Sequence, residues 1–319
     1  MRRLATPVTG AVAAVAVSSL ALLSTSGEPS QSSARFYVST RGAALVARRL
    51  ASAAPQNAAE FERVPAPGVQ VRADEARATS TPWVNSNAWR FQRGLRKAHY
   101  ENLPAGAAPL AAAEAFTFDV SAILDPDPAD VDGLGEMLEF LKPLEKPSLP
   151  PMANIGVVDS ESPLMGEVLN LLTRRNLLYR VVTAPDPTLD LTVRLGSEEF
   201  PVEAAVDPSA FAARVRAELG DDKRLVRIYG SNTTIARLTG DGKKARLYLL
   251  NYRQGRGQRG GGSMPSVRVR VRGRYQPRFT GHGSAPGAKL TDIDHREGAT
   301  EFWVPDFRFL AVIDLDAIP

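Results

Sequence analysis

The stretch TPWVNSNAWRFQRG, residues 81–94, concentrates side chains that could hold a sugar. Trp83, Asn85, Asn87, Trp89 and Arg90 fall within eight residues. Indole faces stack on apolar ring surfaces, and asparagine amides both donate to and accept from hydroxyls. Two readings stand: a glycan platform, or a loop whose tryptophans fill a core, where tryptophan usually sits. Glu75 and Glu114 are the carboxyl groups that would accompany the platform in a hydrolase. Glycosidases need two carboxyls roughly 5–10 Å apart, a spacing that belongs to the fold. Acids in such a segment are otherwise mostly solvated.

A second stretch, SVRVRVRGRY at 266–275, alternates valine with arginine. In a strand, successive side chains point to opposite faces, so Val267, Val269 and Val271 share one side and Arg268, Arg270 and Arg272 the other. A strand with one wet face accounts for the valines, and charged outer residues discourage edge-to-edge pairing. Three arginines in a row also suit carboxylate or phosphate, which a guanidinium pairs bidentately. The surrounding sequence is basic. Residues 223–289 carry sixteen Lys and Arg against one acid, Asp241, while the whole chain is only +4. RQGRGQRGGG, 253–262, resembles segments that bind single-stranded nucleic acid through charge and stacking, and also reads as a hairpin loop between two strands.

Other chemistries find no support. Without cysteine there are no disulfides, thiolate metal sites or thiol nucleophiles. His99, His282 and His295 lack metal-ligand spacing. DSESPLMG, which follows the apolar run NIGVV, is not G-x-G-x-x-G, so no nucleotide cofactor is expected. Asp159 and Glu161 lie where open α/β sheets place ligands, and Asp159 also suits a turn or cap. No G-x-S-x-G elbow occurs. The expectation is a chain with no cofactor and no metal.

The N-terminus predicts the compartment. Arg2 and Arg3 precede an uncharged, mostly apolar run over residues 8–23, and small residues at 24 and 26 suit a cut, the pattern of a secretory signal peptide over 1–26. The run is short for a membrane span, which makes an uncleaved anchor the lesser reading. A Ser-rich leader follows at 27–34. The expected localisation is secreted or periplasmic, and an exported chain favours a polysaccharide or an anionic envelope component over nucleic acid as partner.

The elements that must position these residues are α/β first and all-β later. Residues 35–147 read as mixed α/β, with a small-residue helix in PLAAAEAFTF and an amphipathic one in DPADVDGLGEMLEFLKP, where Val131, Leu134, Leu138 and Leu141 share a face. Prolines in LEKPSLPP mark a linker. NIGVVD, SPLMGEVLNLLTRRN and LLYRVV form a strand–helix–strand unit, with Ser162 as cap and Pro163 at the first helical position. DPSAFAARVRAELG is a further helix, capped by Asp207 and closed by Gly220. From 221 onward the period changes to two. RLVRIYG, TTIARLTG, ARLYLLNY, SVRVRVRG, TEFWVP and FRFLAVIDL predict an antiparallel β-sandwich. FRFLAVIDL is apolar on both faces, which places it centrally. The predicted class is therefore α/β with a partly parallel sheet over 35–220, followed by a β-sandwich over 221–319.

This order of parts resembles the accessory end of bacterial β-galactosidase-type glycoside hydrolases. There a catalytic barrel precedes a glutamine-amidotransferase-like α/β domain and a small β-sandwich. The matching residues are NIGVVDSESPLMGEVLNLLTRRNLLYRVV (154–182) for the first, and ARLYLLNY, VRVRVRGRY and TEFWVPDFRFLAVIDL for the second. The resemblance implies an amidotransferase-like segment at 148–220, without the cysteine that amidotransferases use. Residues 35–147 are too few for an eightfold barrel, so at most they are a barrel remnant or replacement. The expected function is an exported, non-catalytic, carbohydrate- or envelope-associated binding protein. Two alternatives stay open: a divergent glycoside hydrolase with its site around residues 83–90, and a structural module in a homo-oligomer.

Overall fold

The computed structural model describes residues 35–70, 83–144, 149–254 and 266–319. The first segment builds a five-stranded parallel sheet from β1 (Phe36–Val38), β2 (Ser52–Ala53), β3 (Glu62–Val64), β6 (Lys97–Tyr100) and β7 (Ser121–Leu124). Between β3 and β6 in the chain, β4 (Gly68–Gln70) and β5 (Trp83–Asn85) pair as a separate antiparallel ribbon. The helices of this segment are α1 (Ala43–Ala47), α2 (Ala88–Gln92), α3 (Ala108–Thr117) and α4 (Val131–Leu141).

The spatial order of the sheet is β2-β1-β7-β6-β3. Every neighbouring pair follows chain order except that β7 lies beside β1. These are the neighbour relations of a singly wound barrel opened between β2 and β3, where doubly wound sheets would reverse direction.

A three-stranded parallel sheet follows, ordered β10-β8-β9, from β8 (Ile155–Val158), β9 (Tyr179–Val182) and β10 (Leu191–Arg194). α5 (Pro163–Arg174) connects the first two, and α6 (Pro208–Leu219) packs against α5 over their own apolar cluster. Both predicted caps form. Ser162 Oγ accepts from Met165 N at 3.2 Å, and Asp207 Oδ1 accepts from Ser209 N and Ala210 N at 3.0 Å each. Such caps are worth about 1 kcal/mol each.

The last third forms two four-stranded antiparallel sheets. The strands are β11 (Val226–Tyr229), β12 (Thr234–Gly240), β13 (Lys244–Asn251), β14 (Val267–Arg272), β15 (Tyr275–Gly281), β16 (Thr291–Arg296), β17 (Ala299–Val304) and β18 (Leu310–Ala317). One sheet runs β12-β13-β18-β15 and the other β11-β14-β17-β16. Their inner faces share a core that includes Leu247, Val269, Phe302 and Ile313. Mixed α/β followed by an antiparallel sandwich is the predicted class. β15, absent from the sequence-based set of strands, contains Pro277, and it takes the edge position that a strand proline requires.

α3 joins the parts. All ten of its residues are buried, as expected of a helix with no polar face. Its alanines let both neighbours approach closely, and the first core continues through it into Ile235, Tyr248, Leu250, Leu310 and Val312 of the sandwich. The β12-β13-β18-β15 sheet is thus buried on both sides. β18 shows this directly: Leu310 and Val312 enter the first core, and Ala311, Ile313 and Leu315 the second.

Candidate functional site

Glu114 projects from α3 into a fully buried polar centre. The helix start is fixed by Asp130, whose carboxyl accepts from Gly106 N at 2.6 Å and Ala108 N at 3.1 Å. Five donors reach Glu114. Its Oε1 accepts from Tyr252 OH at 2.6 Å, Asn87 N at 2.8 Å and Ser86 Oγ at 2.9 Å. Its Oε2 accepts from Tyr100 OH at 2.8 Å and Asn87 Nδ2 at 3.1 Å. Burial first, and then the charge of Glu114, pushes Tyr100 and Tyr252 well above the ordinary phenol range, which keeps both as donors. Ser86, Asn87, Tyr100 and Tyr252 are themselves buried. The arrangement satisfies a carboxyl group and ties the parallel-sheet segment to the sandwich. It presents no face to solvent. Glu75 lies outside the described residues.

The residues of the tryptophan stretch are engaged within the chain. Asn85 Nδ2 donates to Ala66 O at 2.8 Å and Asn87 Nδ2 to Pro65 O at 2.9 Å. Trp83 and Trp89 are half-buried against the α5–α6 cluster. Arg174 lies 3.9 Å from the Trp83 ring centroid and Arg90 4.2 Å from that of Trp89, cation–π distances. Next to them, Arg93 holds Asp159 bidentately at 2.5 and 2.6 Å, and that hydrogen-bonded pair keeps the Asp159 carboxyl below its usual range. Asp159 Oδ1 also accepts from Glu161 N, which makes the expected turn.

Barrel enzymes place their chemistry at the carboxyl ends of the parallel strands. Here those ends carry Asp125 and Glu101, which sequence reasoning did not single out. Asp125 accepts from Ser39 Oγ at 2.6 Å and Asn102 N at 3.2 Å, and Glu101 pairs with Arg63 at 2.9 Å. Among the described residues no group of His, Asp and Glu is arranged to hold a metal ion, and no helix is long and apolar enough to cross a membrane.

The arginine strand lies inside its sheet, between β11 and β17. Its valines are buried; Arg268 and Arg272 are exposed, and Arg270 is covered. Much of the basic excess of 223–289 is answered across strands and segments. Arg246 meets Asp314 at 2.6 Å, Arg278 meets Asp316 at 2.8 Å, and Arg272 meets Asp190 at 2.9 Å. Glu301 takes Arg268, and Arg270 at 3.4 Å. Arg237 enters the end of α3, donating to Thr117 O with Asp119 at 3.5 Å.

Two exposed rings share the arginine face. Tyr229 is 42% and Trp303 37% exposed, and both are paired with Arg268, one from each side. Sequence reasoning missed them. The signal was present, because both fall at the polar positions of otherwise alternating strands.

No family model matches the chain, and no curated protein matches it. Solved structures of glycoside hydrolases do. Alpha-L-fucosidase isoenzyme 2 from Paenibacillus thiaminolyticus is similar over 67% of this chain and 57% of its own, at 8% identity and a TM-score of 0.49. A cold-adapted beta-galactosidase from Rahnella sp. R3 is similar over 72% and 57%, at 8% identity and 0.40. A catalytic mutant of a GH42 beta-galactosidase from G. stearothermophilus is similar over 78% and 53%, at 6% identity and 0.34. The chain therefore spans little more than half the length of each. Matches of this strength leave function to be read from the chain's own residues.

Proposed function

We propose that this chain is an exported, non-catalytic binding protein that associates with carbohydrate or with an anionic envelope component through its sandwich. One observation carries this reading: a single sheet face combines solvent-exposed Arg268 and Arg272 with exposed Tyr229 and Trp303. The Glu114 centre, by contrast, is closed and saturated with donors. Arg2 and Arg3 and the apolar run that follows them support export. The segment 148–220 is read as amidotransferase-like on the order of its parts, and it would serve as scaffold.

The test is retention of the full chain on immobilised acidic and neutral polysaccharides at low and physiological salt. Binding to the acidic matrix that weakens with salt, and that weakens further in Arg268→Glu with Arg272→Glu, is the expected result. Equal passage through every matrix would overturn the reading and favour an assembly role.

A further inference from the structure

The arginine face can be laid out from its strand register. Directly opposed residues on antiparallel strands share a face. Tyr229, Arg268 and Trp303 form one cross-strand row, and Arg227, Arg270 and Glu301 form the next. With strands about 4.8 Å apart and alternate residues about 6.8 Å apart, the two rings stand roughly 10 Å from each other across one row, the span of about two sugar rings.

The second row is electrostatically unfinished. Arg227 and Arg270 oppose each other directly, a like-charge pair that costs stability unless an anion lies near both. Glu301 is the one acid of the six positions, and it is already shared by Arg268 and Arg270; Asp294, opposite it on β16, is taken by Arg296 at 2.5 Å. Arg270 is only 6% exposed, yet its Nη1 has no hydrogen-bond partner, and neither has Nε of Arg227. Buried donors left unpaired cost about 1–3 kcal/mol each.

We propose that this face is a subsite for a polysaccharide bearing uronic acids, with Tyr229 and Trp303 stacking on sugar rings and the partly exposed Arg227, backed by the charge of the covered Arg270, receiving a sugar carboxylate. The proposal rests on the reading of the chain as a glycan-associated binding protein. Rings alone would take a neutral glycan, and cations alone any polyanion. Together they match a monomer that carries a flat apolar surface and a planar carboxylate, which a guanidinium grips bidentately. Glu301 adds an acceptor for sugar hydroxyls, which a deoxyribose strand does not supply. The net charge of the six positions is positive, complementary to such a polymer.

The experiment measures binding of the full chain to polygalacturonate, to its methyl ester, to dextran sulfate and to oligo(dT), with sedimentation to record self-association. Polygalacturonate is expected to bind best. Esterification should lower affinity at least about tenfold, and Tyr229→Ala with Trp303→Ala, or Arg227→Gln alone, should each do the same. Arg227→Gln is the safer cation variant because Arg270 is buried, and unfolding midpoints confirm that each variant is folded. Polygalacturonate binding that survives both sets of substitutions would overturn the subsite while leaving the glycan-associated reading intact. Binding to dextran sulfate or oligo(dT) as tight as to polygalacturonate would overturn the uronate assignment. No binding to any glycan would overturn the underlying reading itself. A dimer that the ring substitutions convert to monomer would reassign the face to contact between copies of this chain.

Discussion

β18 and β14 are both interior strands of the same sandwich, and both alternate strictly between two faces. In β18 each face meets a core, because α3 and its neighbours cover the outer side of that sheet. In β14 only the valine face does, and the other carries arginines beside exposed rings. The covered sheet holds the molecule together, and its polar centre has every carboxyl oxygen satisfied. The uncovered sheet keeps exposed arginines beside exposed aromatic rings, the features on which the binding proposal rests.

The contrast breaks most severely at Glu114. Glu114→Ala would take the shared acceptor from buried donors of Ser86, Asn87, Tyr100 and Tyr252, of which Asn87 Nδ2 keeps Pro65 O and Ser86 and Tyr252 keep each other, and a loss of about 3–5 kcal/mol is expected in urea unfolding. Glu114→Gln keeps the shape and should cost about half as much. Truncating β18 comes next. Leu310→Ala and Ile313→Ala point to opposite faces, and each should cost about 2–5 kcal/mol; an effect from one alone would mean that the sheet is covered on one side only.

His282 gives a pH test of the covered sheet. It packs between Phe140 of α4 and Phe309, and burial, with help from the Arg308 charge, lowers its pKa from 6.5 to about 4. The unfolded chain takes up this proton below about pH 6.5, while the folded protein resists it down to about 4. Stability from this group is therefore full above pH 6.5 and falls as pH drops toward 4, by up to about 3 kcal/mol. Urea midpoints at pH 7 and 4.5 measure the effect, and His282→Phe should flatten it. The smallest change is expected at the uncovered sheet, where Arg268→Ala should alter stability by no more than about 0.5 kcal/mol.

Much of the fold was legible in the sequence. Ser162 and Asp207 announced their helices because capping is local chemistry, and the change of period at 221 announced the sandwich. The Glu114 centre was not legible. Tyr252 lies 138 residues from its acceptor, and no local pattern links a tyrosine at the end of one strand to a glutamate in the middle of an alanine-rich helix. The tryptophan stretch read either as a glycan platform or as a loop filling a core; its rings lie half-buried with guanidinium groups over them, and nothing near residues 83–90 in sequence reveals that α5 packs there. The basic stretch similarly concealed its acids, Asp314, Asp316 and Glu301, in strands further along the chain.

The sequence by itself determined which residues share a face: the valines of β14 against its arginines, the two apolar sides of β18, the stripe of α4. Periodicity is enough for that, since it follows from backbone geometry alone. Only the tertiary structure decided what each face meets. Whether a row of arginines is neutralised, buried or left open depends on strands and helices brought together from distant parts of the chain, and the energies that settle it belong to those contacts.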